Sequence, residues 1–165
     1  MSRQQSTIGG AQHYGPRGTN EGIPTSASTY GVVKQIVVPV KYDDVNSGLP
    51  AASANVDEAV RSLKANSYIK GAYFNVTTAF TSAGSAVLNI GVEQADGTAV
   101  DADGIDAIAV GALTANAWIT CDGALVGASV GANAAQVSFD DATAAFTAGE
   151  GVLILEVIEQ IAPNA

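Results

Sequence analysis

The sequence is poor in the residues that most often form catalytic or metal sites. Its 165 residues include one Cys, one His, one Trp and one Met, and aromatic residues make up 6% of the chain. A single cysteine, Cys121, excludes an internal disulfide, and with His13 as the single histidine it excludes a structural zinc site. The sequence also has no Walker or dinucleotide-binding glycine motif. We therefore expect that the protein is not an enzyme.

Long hydrophobic runs are missing as well. The longest aliphatic run is residues 152–155, far shorter than the roughly 20 apolar residues of a membrane-spanning helix. The first residues contain no apolar segment of the kind found in secretory signals. We therefore expect neither a membrane span nor a secretory signal. With 47% hydrophobic residues and the length of one typical domain, the chain is expected to fold around a core.

Basic residues are absent from the second part of the chain. All seven Lys and Arg lie within the first 70 residues, whose five acids leave a charge of +2, whereas residues 71–165 carry 11 acids and a charge of −11. Nucleic acids and anionic membranes are bound through clustered Lys and Arg, so we expect neither as a partner. The acidic part is typical of a solvated surface that keeps an apolar protein soluble.

Alternating apolar residues are what the sequence has in abundance. At 68–77 and 86–93, one side of the alternation is apolar, as in a half-buried strand. Candidate strands are 30–42, 68–77, 86–93, 105–113, 117–121, 124–130, 135–139 and 152–161. Turn-type residues separate them at Asp96-Gly97, Asp103-Gly104, Asp122-Gly123 and 149–151. This spacing predicts an all-β fold, an antiparallel β-sandwich of the jelly-roll type.

The first 66 residues differ in composition and pattern from the strands that follow them. Residues 1–29 are rich in Gly, Ser, Thr, Gln and Pro, which predicts an extended N-terminal arm, with a β-sandwich domain over 30–165. Pro39 cannot donate to a strand ladder, so its strand is expected at an edge or with a break. Residues 43–50 form a turn cluster, and the apolar spacing in 51–66 predicts one short helix, with no other helix expected.

Two segments, 78–94 and 144–160, form a weak internal repeat. Each contains a Phe anchor (Phe80 or Phe146), a Gly turn and an alternating strand. Such units suit equivalent places in two facing sheets. The alternative is chance similarity, because Ala- and Gly-rich sequence produces such matches readily.

Few side chains are candidates for chemistry. Asp96, Asp101, Asp103 and Asp106 lie close together in the sequence and are the candidate ligands for calcium, although their spacing is not that of an EF-hand. The favoured alternative is that the Asp-Gly pairs simply form turns. Cys121 is predicted to be a small buried hydrophobe. Trp118 is predicted to be a core residue, with a sugar-stacking platform as the alternative.

Five short sequence segments between Lys34 and Ile158 are the basis of a resemblance to known proteins. They are KQIVVPVKYDD at 34–44, KANSYIKGAY at 64–73, VTTAFTSAGSA at 76–86, GVEQADGT at 91–98 and FTAGEGVL at 146–153. Together they resemble a family of tailed-phage virion structural proteins, of the capsid decoration or head-fibre kind. The resemblance implies a β-sandwich on the outside of a capsid, usually as an oligomer, and carries over no catalytic residue.

This resemblance implies a location and partners. We expect a protein that folds in the host cytoplasm, is localised on the capsid exterior of the virion, binds the major capsid protein and forms a homo-oligomer, with a trimer favoured. It is expected to need no cofactor, with calcium as the single candidate. The arm and the first strand are predicted to contact the capsid, through Arg3, Tyr14, Arg17, Ile23, Tyr30 and Lys34. Two other functions stay open: a tail or receptor-binding module, and a calcium-dependent carbohydrate-binding domain that uses residues 96–106 and Trp118.

Overall fold

A computed structural model describes residues 32–48, 58–94 and 96–159, apart from the side chains of Val32, Glu58 and Ala59. The elements in these residues are β1 (Val32–Lys41), α1 (Tyr42–Asn46), α2 (Glu58–Arg61), β2 (Ser62–Leu63), β3 (Tyr68–Ser82), β4 (Val87–Gln94), β5 (Ala99–Ala109), β6 (Trp118–Thr120), β7 (Ala128–Ser129), β8 (Ala135–Ala142) and β9 (Phe146–Glu159). A short 3-10 turn, Val110–Ala112, follows β5. No helix in the described ranges has the length and apolar character to cross a membrane.

The strands form two packed sheets. Sheet A has the order β1-β9-β3-β6, with β7 pairing a second part of β3, and sheet B has the order β2-β8-β4-β5. Strand pairs such as β3–β9 and β4–β8 are antiparallel. The predicted all-β antiparallel sandwich is therefore confirmed. The predicted arm, 1–29, lies outside the described residues, so the boundary at residue 30 stays a prediction.

Alternation along the strands builds the core between the sheets. In β3, Ala72, Phe74 and Val76 are buried, and in β4 the buried residues include Leu88, Ile90 and Val92, as predicted. Strand β9, which lies beside β3 in sheet A, contributes Leu153, Leu155 and Val157 to the same core. Because side chains alternate between the two faces of a strand, every second residue enters the core. Each large apolar side chain buried in this way contributes roughly 1.5–3 kcal/mol.

Strand β1 and the two short helices come before the long strands of the sandwich in the chain. As predicted for the strand that holds Pro39, β1 is an edge strand of sheet A. The predicted helix is present as α2, although Leu63 belongs to β2. A further helical turn, α1, lies where the sequence predicts a turn cluster. Its Asn46 side chain donates to the Phe146 carbonyl at 2.7 Å and accepts from the Phe146 N–H at 2.9 Å, which holds the turn against β9.

Two predicted turns are wrong because glycine has a packing role there. Residues 149–151 lie inside β9, and Gly149 has a φ of +139°. A Cβ at Gly149 would lie 2.3 Å from Cγ of Phe80. The ring of Phe80 in turn packs edge-on against Phe146, with centroids 5.3 Å apart. Glycine is therefore required at this position by the aromatic ring that lies against it.

The second misassigned turn, Asp103-Gly104, lies in a bulge of β5. Asp106 pairs with Ile90 and Asp101 pairs with Val92, so the four residues 102–105 of β5 oppose the single residue Gly91 of β4. The Gly104 carbonyl accepts from the Leu125 N–H at 2.7 Å. The bulge therefore leaves backbone groups of β5 free to bind the loop that follows β6.

Most of the predicted strands have different bounds in the structure. The strand predicted at 68–77 continues to Ser82, that at 135–139 continues to Ala142, and that at 152–161 begins earlier, at Phe146. The strand predicted at 105–113 begins earlier, at Ala99, and ends in the 3-10 turn. The strand predicted at 124–130 is reduced to β7, because Gly127 turns the chain with a φ of +89° and its N–H donates to Ile69.

The internal repeat is confirmed for its strands and wrong for its anchors. Strand β4 and the second half of β9 lie in facing sheets, as predicted. Phe80 and Phe146, however, both lie in sheet A, where Ser82 pairs with Phe146. The glycine of the first copy, Gly84, lies between β3 and β4, whereas Gly149 lies within β9. The two copies are therefore not structurally equivalent.

The contact between Gly149 and Phe80 gives a stability prediction. Replacing Gly149 with Ala should lower the free energy of unfolding by about 3 kcal/mol, since the new Cβ has no room and the φ is strained. The control is Gly111→Ala, because a Cβ at Gly111 meets nothing within 4 Å, and its effect should stay within about 0.5 kcal/mol. Urea unfolding followed by circular dichroism measures both. Equal midpoints for the two variants would contradict the packing role.

Candidate functional site

The outer face of sheet A, here called the A face, holds most of the exposed hydrophobic side chains. Outward positions on each strand alternate with the core positions. Seven large hydrophobic side chains are exposed among the described residues, and five of them lie on sheet A: Val33, Val37, Tyr68, Tyr73 and Trp118. Exposed apolar surface concentrated on one face is typical of an interaction site.

One half of the A face is aliphatic. On β1, Val33 is 62% exposed and Val37 is 43% exposed, and Gln35 and Pro39 share the same outward alternation. Because β1 is an edge strand, this half of the face lies at the margin of the sheet. Its large side chains offer apolar contact with few hydrogen-bonding groups.

The other half is aromatic and polar, and is here called the aromatic platform: Tyr68, Tyr73, Asn75, Trp118 and Thr120. In the pairing of β3 with β6, Asn75 lies opposite Trp118 and Tyr73 lies opposite Thr120. Tyr73 extends along the strand over Gly71, since a Cβ added there would lie 3.8 Å from its hydroxyl. The Asn75 amide donates to the Ala117 carbonyl at 3.4 Å. Rings and hydrogen-bonding groups therefore alternate on this half.

The predicted core position of Trp118 is wrong, because its side chain is 66% exposed. Strand β6 has three residues, and its middle residue, Ile119, takes the inward position against the core. Alternation then sends Trp118 and Thr120 outward. The predicted burial of Cys121 is confirmed, with 2% exposure.

Ion pairs neutralise the charges of sheet A. All four lysines of the described residues pair with glutamates of β9: Lys34 with Glu159 at 3.2 Å, Lys64 with Glu159 at 2.9 Å, Lys41 with Glu150 at 2.9 Å and Lys70 with Glu156 at 2.6 Å. On the aromatic platform side, Glu156 lies opposite Gly71. The lysines of the first part of the chain are therefore engaged within the fold.

Sheet B is acidic by contrast. Its strands β4, β5 and β8 carry no Lys or Arg and six acids: Glu93, Asp101, Asp103, Asp106, Asp140 and Asp141. Burial raises the pKa of Glu93, whose carboxylate accepts from Gln136 at 3.4 Å. Gln136 also accepts from the buried Arg61 at 2.9 Å. The charge division along the sequence thus becomes a division between a neutralised sheet and an acidic one.

The four candidate calcium ligands are placed differently from one another. Asp96 accepts from the Thr98 N–H at 2.9 Å in the turn after β4, which lowers its pKa. Asp101 and Asp103 lie at the β5 bulge, and Asp106 lies beyond it beside Cys121. Within the described residues, no three His, Cys, Asp or Glu side chains are grouped so as to hold a metal ion. The structure does not bring the four together as one site.

Of the six candidate capsid contacts, the structure describes one. Lys34 lies on β1, and its ammonium group binds Glu159. The others, Arg3, Tyr14, Arg17, Ile23 and Tyr30, lie outside the described residues, as does His13. Sequence reasoning did not select Val33, Val37 or Tyr73 as contact residues. The signal for all three was their alternation with core positions on strands that the sequence already predicted.

Comparison with known proteins identifies the fold. No family model and no curated protein matches the chain. One solved chain, from the acidic stable capsid structure of Helicobacter pylori bacteriophage KHP30, superposes with a TM-score of 0.54 at 12% identity, covering 78% of this chain and 89% of that one. A chain from the capsid of Ralstonia phage GP4 gives 0.48 at 17% identity, covering 79% and 86%. One from the cyanophage Pam1 capsid asymmetric unit gives 0.41 at 13%, covering 96% and 97%. This chain therefore shares the fold of the KHP30 capsid chain.

Glu159 links three segments of the fold and gives a pH prediction. Hydrogen bonds from Lys64 and Lys34 hold the pKa of Glu159 below its usual 4.5. Glu159→Gln should lower the free energy of unfolding by about 1 kcal/mol at pH 7. Because the folded-state pKa is depressed, this contribution exists above pH 4.5 and is lost as the pH falls through the folded-state pKa. Urea unfolding at several pH values should show the difference shrinking below about pH 4. A difference that stays constant down to pH 3 would contradict the assignment.

Cys121 gives a reactivity prediction. Burial of the thiol, with a further contribution from the charge of Asp106, raises the pKa of Cys121 to about 12. Since the thiolate is the reactive form, Cys121 should react with a disulfide reagent at pH 8 on the order of a thousandfold more slowly than an exposed cysteine. In concentrated urea the ordinary rate should return. An ordinary rate in the folded protein would show that the thiol is accessible.

Proposed function

We propose that this chain is a structural protein of a phage virion that binds the outer surface of the capsid, as a decoration, cement or head-fibre component. Its proposed partner is the major capsid protein, and its location is the capsid exterior. Copies of the chain are proposed to associate as a homo-oligomer, with a trimer favoured. No catalytic step is part of this role.

The fold supports the proposal. The chain with which it superposes at a TM-score of 0.54 comes from a phage capsid structure. That similarity covers most of both chains, so it concerns the whole sandwich rather than one hairpin. A sandwich of this kind offers two broad sheet faces, and either one is large enough to bind a protein.

The observation that carries the proposal is the aliphatic half of the A face. Val33 and Val37 extend outward from β1, the strand that directly follows the predicted arm. Apolar side chains at an exposed sheet margin are removed from water when a protein surface covers them. The arm and β1 would then form one continuous contact surface on the capsid, as the sequence predicts. Lys34 alternates with Val33 and Gln35, so it borders this surface from the other side of β1, where Glu159 holds it.

The charge distribution supports the same orientation. The two lysines at outward positions of sheet A, Lys41 and Lys70, pair with Glu150 and Glu156 of β9, so an approaching protein meets little net charge there. Sheet B carries six acids on three strands without a basic residue. Carboxylates lose favourable hydration when they are buried, so the acidic side is the one better left in water.

A tail or receptor-binding module is the second candidate, because the same fold and the same apolar margin suit attachment to a tail. Electron microscopy of virions with a labelled copy distinguishes the two: many copies on the capsid faces, or a few at the tail. The calcium-dependent carbohydrate-binding alternative has less support, because its four Asp residues are not grouped.

Co-sedimentation with empty capsids of the same phage tests the proposal. Deleting residues 1–29 should weaken binding at least tenfold, and so should the double variant Val33→Ser/Val37→Ser, because each removes part of the contact surface. The matched control is Val60→Ser, since Val60 is 42% exposed, like Val37 at 43%, but lies on α2 outside sheet A. Thermal unfolding confirms that each variant is folded. Undiminished binding by both the deletion and the double variant would refute the proposal.

A further inference from the structure

We propose that the aromatic platform is a binding site for an uncharged glycan, independent of calcium and separate from the capsid contact. The site consists of Tyr68, Tyr73 and Trp118, with Asn75 and Thr120 between and beside the rings. The observation behind this proposal is the juxtaposition of exposed rings with amide and hydroxyl groups on neighbouring strands of one sheet.

The three rings form a row along β3. Tyr68, Tyr73 and Asn75 pair with Ile158, Ile154 and Val152 of β9, and Trp118 lies opposite Asn75 on the other side. At a strand rise of about 3.3 Å per residue, the six steps from Ile158 to Val152 give the row a length of roughly 20 Å. Tyr73 and Trp118 are diagonal neighbours, at a Cβ separation of about 7 Å. A row of this length accommodates several linked sugar rings.

The chemistry of the platform matches that of a pyranose. The face of a sugar ring presents C–H groups with partial positive charge, which pack against the negative face of an aromatic ring. The hydroxyl groups at the edge of the sugar need donors and acceptors. Asn75 keeps its carbonyl oxygen and one amide proton beside its bond to Ala117, and Thr120 offers a hydroxyl opposite Tyr73. Polar groups placed beside an apolar surface are what orient a small ligand.

Charge favours a neutral glycan over an acidic one. The charged side chains next to the row, Lys70 and Glu156, neutralise each other at 2.6 Å. The chain as a whole carries a net charge of −9, so an anionic ligand is repelled at longer range. A neutral saccharide meets no such penalty, and the Lys70–Glu156 pair can still donate to and accept from its hydroxyl groups.

The outward side chains of β1 differ in kind from those of the aromatic platform, and this difference distinguishes the proposed glycan site from the proposed protein contact. The outward hydrophobic side chains of β1 are aliphatic, whereas those of β3 and β6 are aromatic with hydrogen-bonding side chains between them. Strand β9 lies between the two halves. Binding of a capsid along β1 therefore leaves the rings at the opposite margin of sheet A available. Calcium has no role here, because the clustered Asp residues of the sequence lie on β5 and its preceding turn.

Trp118 provides its own test, because it is the single tryptophan of the chain. Its fluorescence is followed during titration of the full chain with maltohexaose, cellohexaose and hexa-N-acetylchitohexaose, up to about 10 mM, the range of weak binding. We expect a saturable change in Trp118 emission with at least one of these neutral hexaoses, unaffected by EDTA. Trigalacturonic acid, an anionic comparison, should give none.

Variants that keep Trp118 measure the contribution of the other rings. Tyr73→Ala should raise the dissociation constant at least tenfold, which is the loss of affinity expected when a stacked ring is removed. Tyr68→Ala, at the far end of the row, is a second variant in case the first does not fold. Val37→Ala, on the aliphatic half, should leave the titration unchanged, and all three should keep the wild-type circular dichroism.

Several outcomes would overturn the glycan site. One is the absence of a saturable response to all three neutral hexaoses, and another is a preference for the anionic sugar. A third is a change in Trp118 emission that depends on protein concentration and not on sugar, together with dimers in sedimentation. That result would mean that the platform binds a second copy of the chain. A fourth is reduced capsid co-sedimentation of Trp118→Ala, which would assign it to the capsid contact. Capsid binding by the wild type, measured separately, decides the proposed virion role without reference to the glycan.

Discussion

Alternation along β9 sets the properties of both sides of sheet A. Its odd-numbered residues, Leu153, Leu155 and Val157, are buried in the core, while Glu150 and Glu156 extend to the other side and bind Lys41 and Lys70. At the end of the strand, Glu159 binds two more lysines. Because β9 lies between β1 and β3 and is hydrogen-bonded to both, it connects the two halves of the A face. The core, the charge pattern and the candidate interfaces therefore all depend on this one strand.

Close contact with a ring or with backbone explains three of the glycines. Gly149 makes room for Phe80, and Gly151 makes room for Phe74, since a Cβ there would lie 2.5 Å from that ring. At Gly91, a Cβ would meet the backbone of the β5 bulge at 2.3 Å. Few aromatic rings fill this core, so each one must be packed closely, and small residues on the neighbouring strand allow it.

The features that the sequence predicts well are those fixed by local alternation. The inward faces of β3 and β4 followed from period-two apolar patterns, and the edge position of β1 from Pro39. The errors arose where a distant residue decides. Gly149 has the local signal of a turn, but the ring of Phe80 keeps the chain extended there. Trp118 is a large aromatic residue of the kind usually found in a core. Because β6 is only three residues long and Ile119 takes its inward position, Trp118 lies on the outer face of sheet A. Neither contact is visible in the local sequence.

The two halves of the A face differ in a way that composition alone does not explain. The proposed capsid contact needs apolar surface, and Val33 and Val37 supply it, with Gln35 as the hydrogen-bonding side chain between them. Exposed rings such as Tyr73 and Trp118 are costly to keep in water, and the hydrogen-bonding residues opposite them, Thr120 and Asn75, would be poorly satisfied under a dry protein contact. A ligand that is itself apolar on its face and polar at its edge satisfies both requirements. The chemistry of the side chains therefore divides the A face into an aliphatic half and an aromatic half, and β9 separates them.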